Sequence, residues 1–156
     1  MGKQSLLSRL MILLFVTAGA AVLPLTTSHQ AAHASAKTPG VRAYIWAYHH
    51  VGRPYCWGGA GPGCFDCSGL VMSAYEHAGL PLRRTTYAML RSSRLVPESE
   101  SRARRGDLAF YGSGHVEFFV RPGHTFGALD SGTLIGWHHW SRWWHPTMFF
   151  RVRGSR

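Results

Sequence analysis

Gly52-Arg53-Pro54-Tyr55-Cys56-Trp57-Gly58-Gly59, followed after a short turn by Phe65-Asp66-Cys67-Ser68-Gly69-Leu70, is the stretch that decides the fold. Its first part reads as loop, with glycine and proline scattered at no period. At Cys67 a helical period begins: Leu70, Val71, Ala74, Tyr75 and Ala78 share one face, Gly79 ends it and Pro81 lies just beyond. Asp66 stands directly before the first helical residue, where a short acceptor side chain caps a helix. Cys67 is therefore expected at a helix N-terminus, among backbone N–H groups without helical partners and at the end of the dipole that favours an anionic sulfur. Gly69 in that first turn is expected to let a substrate backbone approach the sulfur. A histidine able to serve as base follows in Gly114-His115-Val116. A thiol and an imidazole in this pattern point to a cysteine hydrolase.

Working outward, Thr38-Pro39 has the form of an N-cap and a proline in the first helical turn. Val41, Tyr44, Ile45 and Tyr48 recur behind it at helical spacing until Gly52. A short third helix is predicted from Thr85 or Thr86 to Arg94. The period then changes. Residues 107–111, 115–120, 125–129, 133–137 and 148–152 are short, β-branched or aromatic runs separated by Gly and Pro turns. Helices first and strands later, joined by loops too short for crossovers, predict an α+β fold with N-terminal helices packed on a small antiparallel sheet.

Residues 1–36 have the form of a secretory signal peptide. Lys3 and Arg9 precede an apolar stretch of 16 residues from Leu10 to Leu25, and Ala34-Ser35-Ala36 supplies a small-x-small cleavage site. A spanning helix wants about 20 uninterrupted apolar residues, and no second apolar run follows, so no stable membrane insertion is expected after cleavage. Residues 37–156 then form one domain with one core, expected to act as a monomer. Of 17 Lys and Arg residues, 15 lie in this domain against 7 acidic ones, a net charge of +8. Arg83-Arg84, the arginines between 102 and 105, and Arg151 with Arg153 form no nucleic-acid recognition module. The expected partner of an exported basic chain is an anionic cell envelope, met through the long-range field.

Three cysteines in an exported chain leave one thiol free. Pairing Cys56 with Cys64 restrains the loop and spares Cys67; pairing Cys64 with Cys67 blocks it until reduction. The first is the favoured arrangement. A structural zinc held by the three cysteines and one histidine is a rival binding-module reading, but no second C-x-x-C pair follows, and the chain is expected to need no metal or cofactor. His138, His139 and His145, set among Trp137, Trp140, Trp143 and Trp144, read as aromatic packing near a groove. His49-His50 suits the C-terminus of the first helix.

Pro54-Tyr55-Cys56-Trp57-Gly58-Gly59, Phe65-Asp66-Cys67-Ser68-Gly69-Leu70-Val71, Arg84-Thr85, Arg105-Gly106-Asp107-Leu108-Ala109-Phe110 and Gly114-His115-Val116 occur in one order and spacing that resembles the NlpC/P60 peptidases over residues 41–153. The resemblance implies a papain-like α+β fold and hydrolysis of amide bonds in peptidoglycan stem peptides, usually between D-glutamate and the adjacent diamino acid. By that resemblance Cys67 matches the nucleophile, His115 the general base and Tyr55 the tyrosine beside the nucleophile. Tyr55 and the Cys67 N–H are expected to meet the oxyanion. Ser68, Arg84 and Trp57 are candidate substrate-binding residues, and Arg83 is a further candidate partner for substrate carboxylates.

The chain departs from the family pattern at one place. A third polar residue normally follows on the next strand to orient the imidazole, and here that position is Gly127. The family's usual glycine two residues after the base is Glu117 here. Side chains two apart on a strand share a face, and in an antiparallel hairpin positions 117 and 127 lie opposite each other. Glu117 is therefore expected to fill the vacated space and orient His115, as the acid of a Ser-His-Asp triad does. Asp130 and His138 are the reserve candidates. The missing third residue also keeps open a second reading, a wall-binding protein on the same fold with weak or no catalysis.

Overall fold

A computed structural model describes residues 37–156; the expected signal peptide and its cleavage site lie outside the described residues. Helix α1 spans Pro39–Tyr48, with the Thr38 hydroxyl accepting from the Val41 N–H and proline at the helix start. Its buried stripe is Gly40, Ala43, Tyr44 and Ala47, while Tyr48 is 44% exposed. The aromatic period thus marked the helix correctly and its inner face only in part, because small residues form the surface that packs on α2. Helix α2 spans Cys67–His77 and buries the face read from the sequence, Leu70, Val71, Ala74 and Tyr75. None of the described helices is long and apolar enough to cross a membrane.

Helix α3, Thr86–Leu90, is capped by Thr85 and ends earlier than its sequence suggests. The chain after it enters a strand, β1, Leu95–Glu98. Among the described residues β1 pairs only with the last strand, so it is an edge strand and tolerates Pro97. That proline hides the strand from a period-based reading. A short 3-10 turn follows at Glu100–Arg102, and then β2 (Leu108–Tyr111), β3 (His115–Arg121), β4 (His124–Gly127), β5 (Gly136–His139) and β6 (Met148–Val152). The sheet order is β1-β6-β2-β3-β4-β5, antiparallel throughout. The run expected at 133–137 is displaced to 136–139. Thr133 instead closes a turn on Asp130, its N–H and hydroxyl both donating to the Asp130 carbonyl. The displacement brings His138 into the sheet, opposite Thr125.

β3 is buried on both faces. Val116 and Phe118 belong to the main core with the helices, where the Tyr75 ring stacks on Phe118 at 5.9 Å. Phe119, on the opposite face with His115 and Glu117, joins a second cluster with Ala109 and Phe149. At the entry to β2, Gly106 adopts a positive φ and packs so closely on the Gly40 carbonyl that a Cβ has no room. Asp107 beside it accepts from the Arg104 N–H and from Arg156. The Arg105-Gly106-Asp107 block therefore anchors the sheet to α1 and the chain end.

Candidate active site

The loop leading to Cys67 is held by its own backbone and by a disulfide. Cys56 and Cys64 are bonded, with their Cα atoms 5.7 Å apart, and Cys67 is free and buried. The Cys56 N–H donates to the Phe65 carbonyl and the Asp66 N–H to the Gly59 carbonyl, at 3.0 and 2.9 Å. A Cβ on Gly69 would strike that same Gly59 oxygen. The close approach at Gly69 is thus made by the loop's own chain, not by a substrate backbone as the sequence suggests. With two of three sulfurs bonded to each other, the three-cysteine zinc set is not built. Among the described residues no group of three or more His, Cys, Asp or Glu could hold a metal ion.

Asp66 caps α2 by accepting from the Gly69 N–H at 2.6 Å. Arg84 forks onto both of its oxygens, Nη1 to Oδ1 at 3.0 Å and Nη2 to Oδ2 at 2.6 Å. Burial pushes the Asp66 carboxyl up, but Arg84 and the Gly69 N–H outweigh it and hold the group below the usual range. Ser68 donates to Asp66 and accepts from Arg84, which also reaches the Gly59 carbonyl. Arg84 and Ser68 therefore line the site with much of their bonding capacity already committed. They also brace the cap of the helix that carries Cys67.

A groove of about 580 Å³ opens over this helix end, lined by Tyr55, Trp57, Cys67, Arg84, Tyr87 and Gly114 among others. Trp57 is 90% exposed and Tyr87 59%, so both stand at the rim. Burial pushes the Tyr55 phenol up, as do the neighbouring Cys67 and Asp66, so it stays protonated and able to donate.

His115 is the first residue of β3 and is nearly buried. Its Nε2 lies 3.3 Å from Glu117 Oε1, and the same oxygen lies 2.6 Å from His138 Nδ1. Both are ion-pair contacts whose alignment falls short of a full hydrogen bond, and none of these three atoms has another partner. Burial disfavours the His115 imidazolium, but Cys67 and Glu117 together outweigh it and raise the group to about 9. Burial likewise opposes the Glu117 charge, yet contacts with His115 and His138 hold it down to about 2. A Cβ at Gly127 would lie 2.8 Å from Glu117 Cγ, so Glu117 occupies the volume a side chain at 127 would take. Asp130 is exposed and caps its own turn, donated to by the Ser131 N–H. It is not part of this cluster.

The NlpC/P60 family profile matches residues 52–152, about two-thirds of the chain, and takes in Cys67, His115 and Glu117 alike. This chain belongs to the NlpC/P60 family. It is 43% identical over 101 residues to the probable endopeptidase p60 of Listeria monocytogenes, covering 62% of this chain and 20% of that one. It is 38% identical over 94 residues to the bifunctional muramidase/DL-endopeptidase CwlT of Bacillus subtilis, covering 55% of this chain and 28% of that one. The chain thus spans between a fifth and three-tenths of the length of these curated relatives. Its fold matches the crystal structure of the NlpC/p60 domain of the peptidoglycan hydrolase SagA with a TM-score of 0.64 and 30% identity, over 72% of this chain and 98% of that one.

Within this NlpC/P60 domain one groove residue, Tyr87, escaped the sequence reading, while Trp144 was read as aromatic packing near a groove. Tyr87 reaches the rim because α3 starts at Thr86; the Thr85-Thr86 cap was the available signal. Trp144 stacks on Tyr111 at 4.6 Å and lies 5.6 Å from the His115 ring, walling the histidine side of the site. Of the other described histidines, His50 bonds the Trp46 carbonyl at the end of α1 and His139 lies against His124, whereas His145, expected to pack near the groove, is exposed.

Proposed function

We propose that residues 37–156 form an exported cysteine peptidase that hydrolyses amide bonds in peptidoglycan stem peptides, with Cys67 as nucleophile and His115 as base. The observation that carries this reading is a free cysteine at a helix N-terminus, lining an open groove and interacting with a histidine backed by a buried carboxylate. Glu117 on Nε2 leaves Nδ1 of His115 for the thiol, keeps that tautomer and stabilises the imidazolium. The Cys67 sulfur attacks the amide carbonyl, and the Cys67 N–H with the Tyr55 hydroxyl meets the developing oxyanion. His115 protonates the leaving amine, then draws a proton from the water that releases the acyl group. Trp57 and Tyr87 offer apolar faces for the peptide at the rim. The relative named a DL-endopeptidase supports a D-glutamyl–diamino acid bond as the target. The basic, apolar N-terminal 36 residues support export to the wall.

The test is release of stem peptides from defined muropeptides, followed by mass spectrometry. Wild type is expected to cleave, and Cys67→Ala and His115→Ala to lose about 10³-fold or more of kcat/KM. Turnover surviving in Cys67→Ala ends the reading. The vacancy at Gly127, which motivates the non-catalytic alternative, is filled by Glu117.

A further inference from the structure

We propose that His138 is a positioning residue for this reaction, fixing through Glu117 the carboxylate against which the His115 ring is set, so that Cys67, His115, Glu117 and His138 act as one chain of four groups. The inference rests on the peptidase reading above and adds a residue from a different strand to it. Glu117 is 0% exposed, and a buried carboxylate without adequate partners takes up a proton instead of holding its charge. Of its two contacts, His138 is much the nearer, 2.6 Å against 3.3 Å, and both fall on Oε1. The acid is therefore anchored chiefly from β5, and His115 meets an oxygen already placed by His138.

The sheet explains why this residue is the one available. β4 puts Thr125 and Gly127 on one face, Thr125 pairs with His138, and the space at Gly127 holds the Glu117 side chain. With no Cβ at 127 to pin it, the flexible Glu117 chain needs a second fixed point, and His138 supplies it from the diagonal position. The groups around the acid are few: His115 on the same strand, Cys67 from α2 beyond it, Tyr111 from β2, and His138 and Thr125 from the far side. Tyr111 bonds the Thr125 hydroxyl at 2.8 Å, and its phenol is pushed far up by burial and the Glu117 charge, so it stays neutral. No lysine, arginine or second carboxylate contacts Glu117 among the described residues.

Two readouts test this. The first is the pH profile of kcat and KM on a defined muropeptide; the second is an NMR titration of the His115 ring, which needs no turnover. His138→Ala and His138→Phe are expected to lower kcat about 10- to 100-fold with KM little changed, the magnitude that loss of an outer hydrogen-bond partner has for a metal-ligating histidine. Both are expected to move the alkaline limb and the His115 titration downward, toward an ordinary imidazole. His138→Gln, which can still donate to Glu117, is expected to recover part of both. In a Glu117→Gln background, adding His138→Ala is expected to change neither. The inference is overturned if His138→Ala or His138→Phe folds with the His115 titration unmoved, or if the two losses add in the double variant. A wild type that cleaves nothing sinks the peptidase reading alone, since the titration still reports the coupling.

Discussion

Glu117 and Gly127 exchange sizes across one rung of the β3–β4 hairpin, and this makes the site testable by single residues. Gly127 has no positive φ, so its backbone accepts a side chain, but a Cβ there meets Glu117 Cγ at 2.8 Å. Gly127→His alone is expected to displace Glu117, cost about 1–3 kcal/mol through overpacking and lower kcat at least tenfold. Combining it with Glu117→Gly frees the space for a ring from 127, and recovery of both stability and kcat is the expected result of urea melts and kinetics. The ion pair also sets a pH window. His115 is raised from 6.5 to about 9, so its contribution to stability is full below 6.5 and is lost as pH rises through 9. Glu117 is lowered from 4.5 to about 2, so its contribution is present above 4.5 and is lost as pH falls through 2. The stability difference between wild type and Glu117→Gln is therefore expected to peak between pH 4.5 and 6.5 and to shrink on either side, as melting temperatures across that range will read. The activity of wild type should fall above about pH 9, as the imidazolium is lost.

At the scale of elements, α2 and the loop before it form one braced unit. The disulfide spans a sequence separation of 8. Closing so short a loop is expected to stabilise the fold by about 2–3 kcal/mol in the chain-entropy account. A Cys56→Ser, Cys64→Ser variant should lose that amount in denaturant melts while Cys67 still reacts with a thiol probe. Gly69→Ala tests the closeness of loop and helix directly. Its Cβ would strike the Gly59 carbonyl, which also accepts from the Asp66 N–H and Arg84. A loss of at least about 1–3 kcal/mol is expected, with lower kcat, because the cap that holds Cys67 shifts with the loop. A stable, fully active Gly69→Ala would show that the contact is dispensable.

Across the whole molecule, charge is the property that extends beyond the groove. Residues 37–156 carry 15 basic against 7 acidic residues, a net charge of +8, and Arg83 and Arg91 line a second hollow that shares Thr85 and Tyr87 with the groove. If this field draws the domain to an anionic wall, hydrolysis of insoluble wall material should fall several-fold between about 0.05 and 0.5 M salt, as the screening length drops below 10 Å. Turnover of a small soluble muropeptide should change far less. Equal salt dependence on the two substrates would remove the field from the account.

Much of the fold and the heart of the site are local and so legible in the chain. The cap at Asp66, the period that follows Cys67 and the glycines before it lie within a few residues of one another, and each is set by backbone hydrogen bonding at a helix start. The pairing of positions 117 and 127 was also legible, since strand alternation and a tight hairpin determine it. The rest depended on contacts between distant segments. The turn at Asp130 and Thr133 shifts β5 by three residues, and that shift alone carries His138 opposite Thr125 and onto Glu117. Arg84 is turned onto Asp66, which lies 18 residues earlier in the chain, a choice its sequence neighbourhood does not record. The sequence by itself placed Cys67 at a helix start and singled out His115 on a later strand; only the tertiary structure decided which two sulfurs pair and what holds that histidine, because a disulfide and a buried charge take their partners from whichever segments the fold brings together.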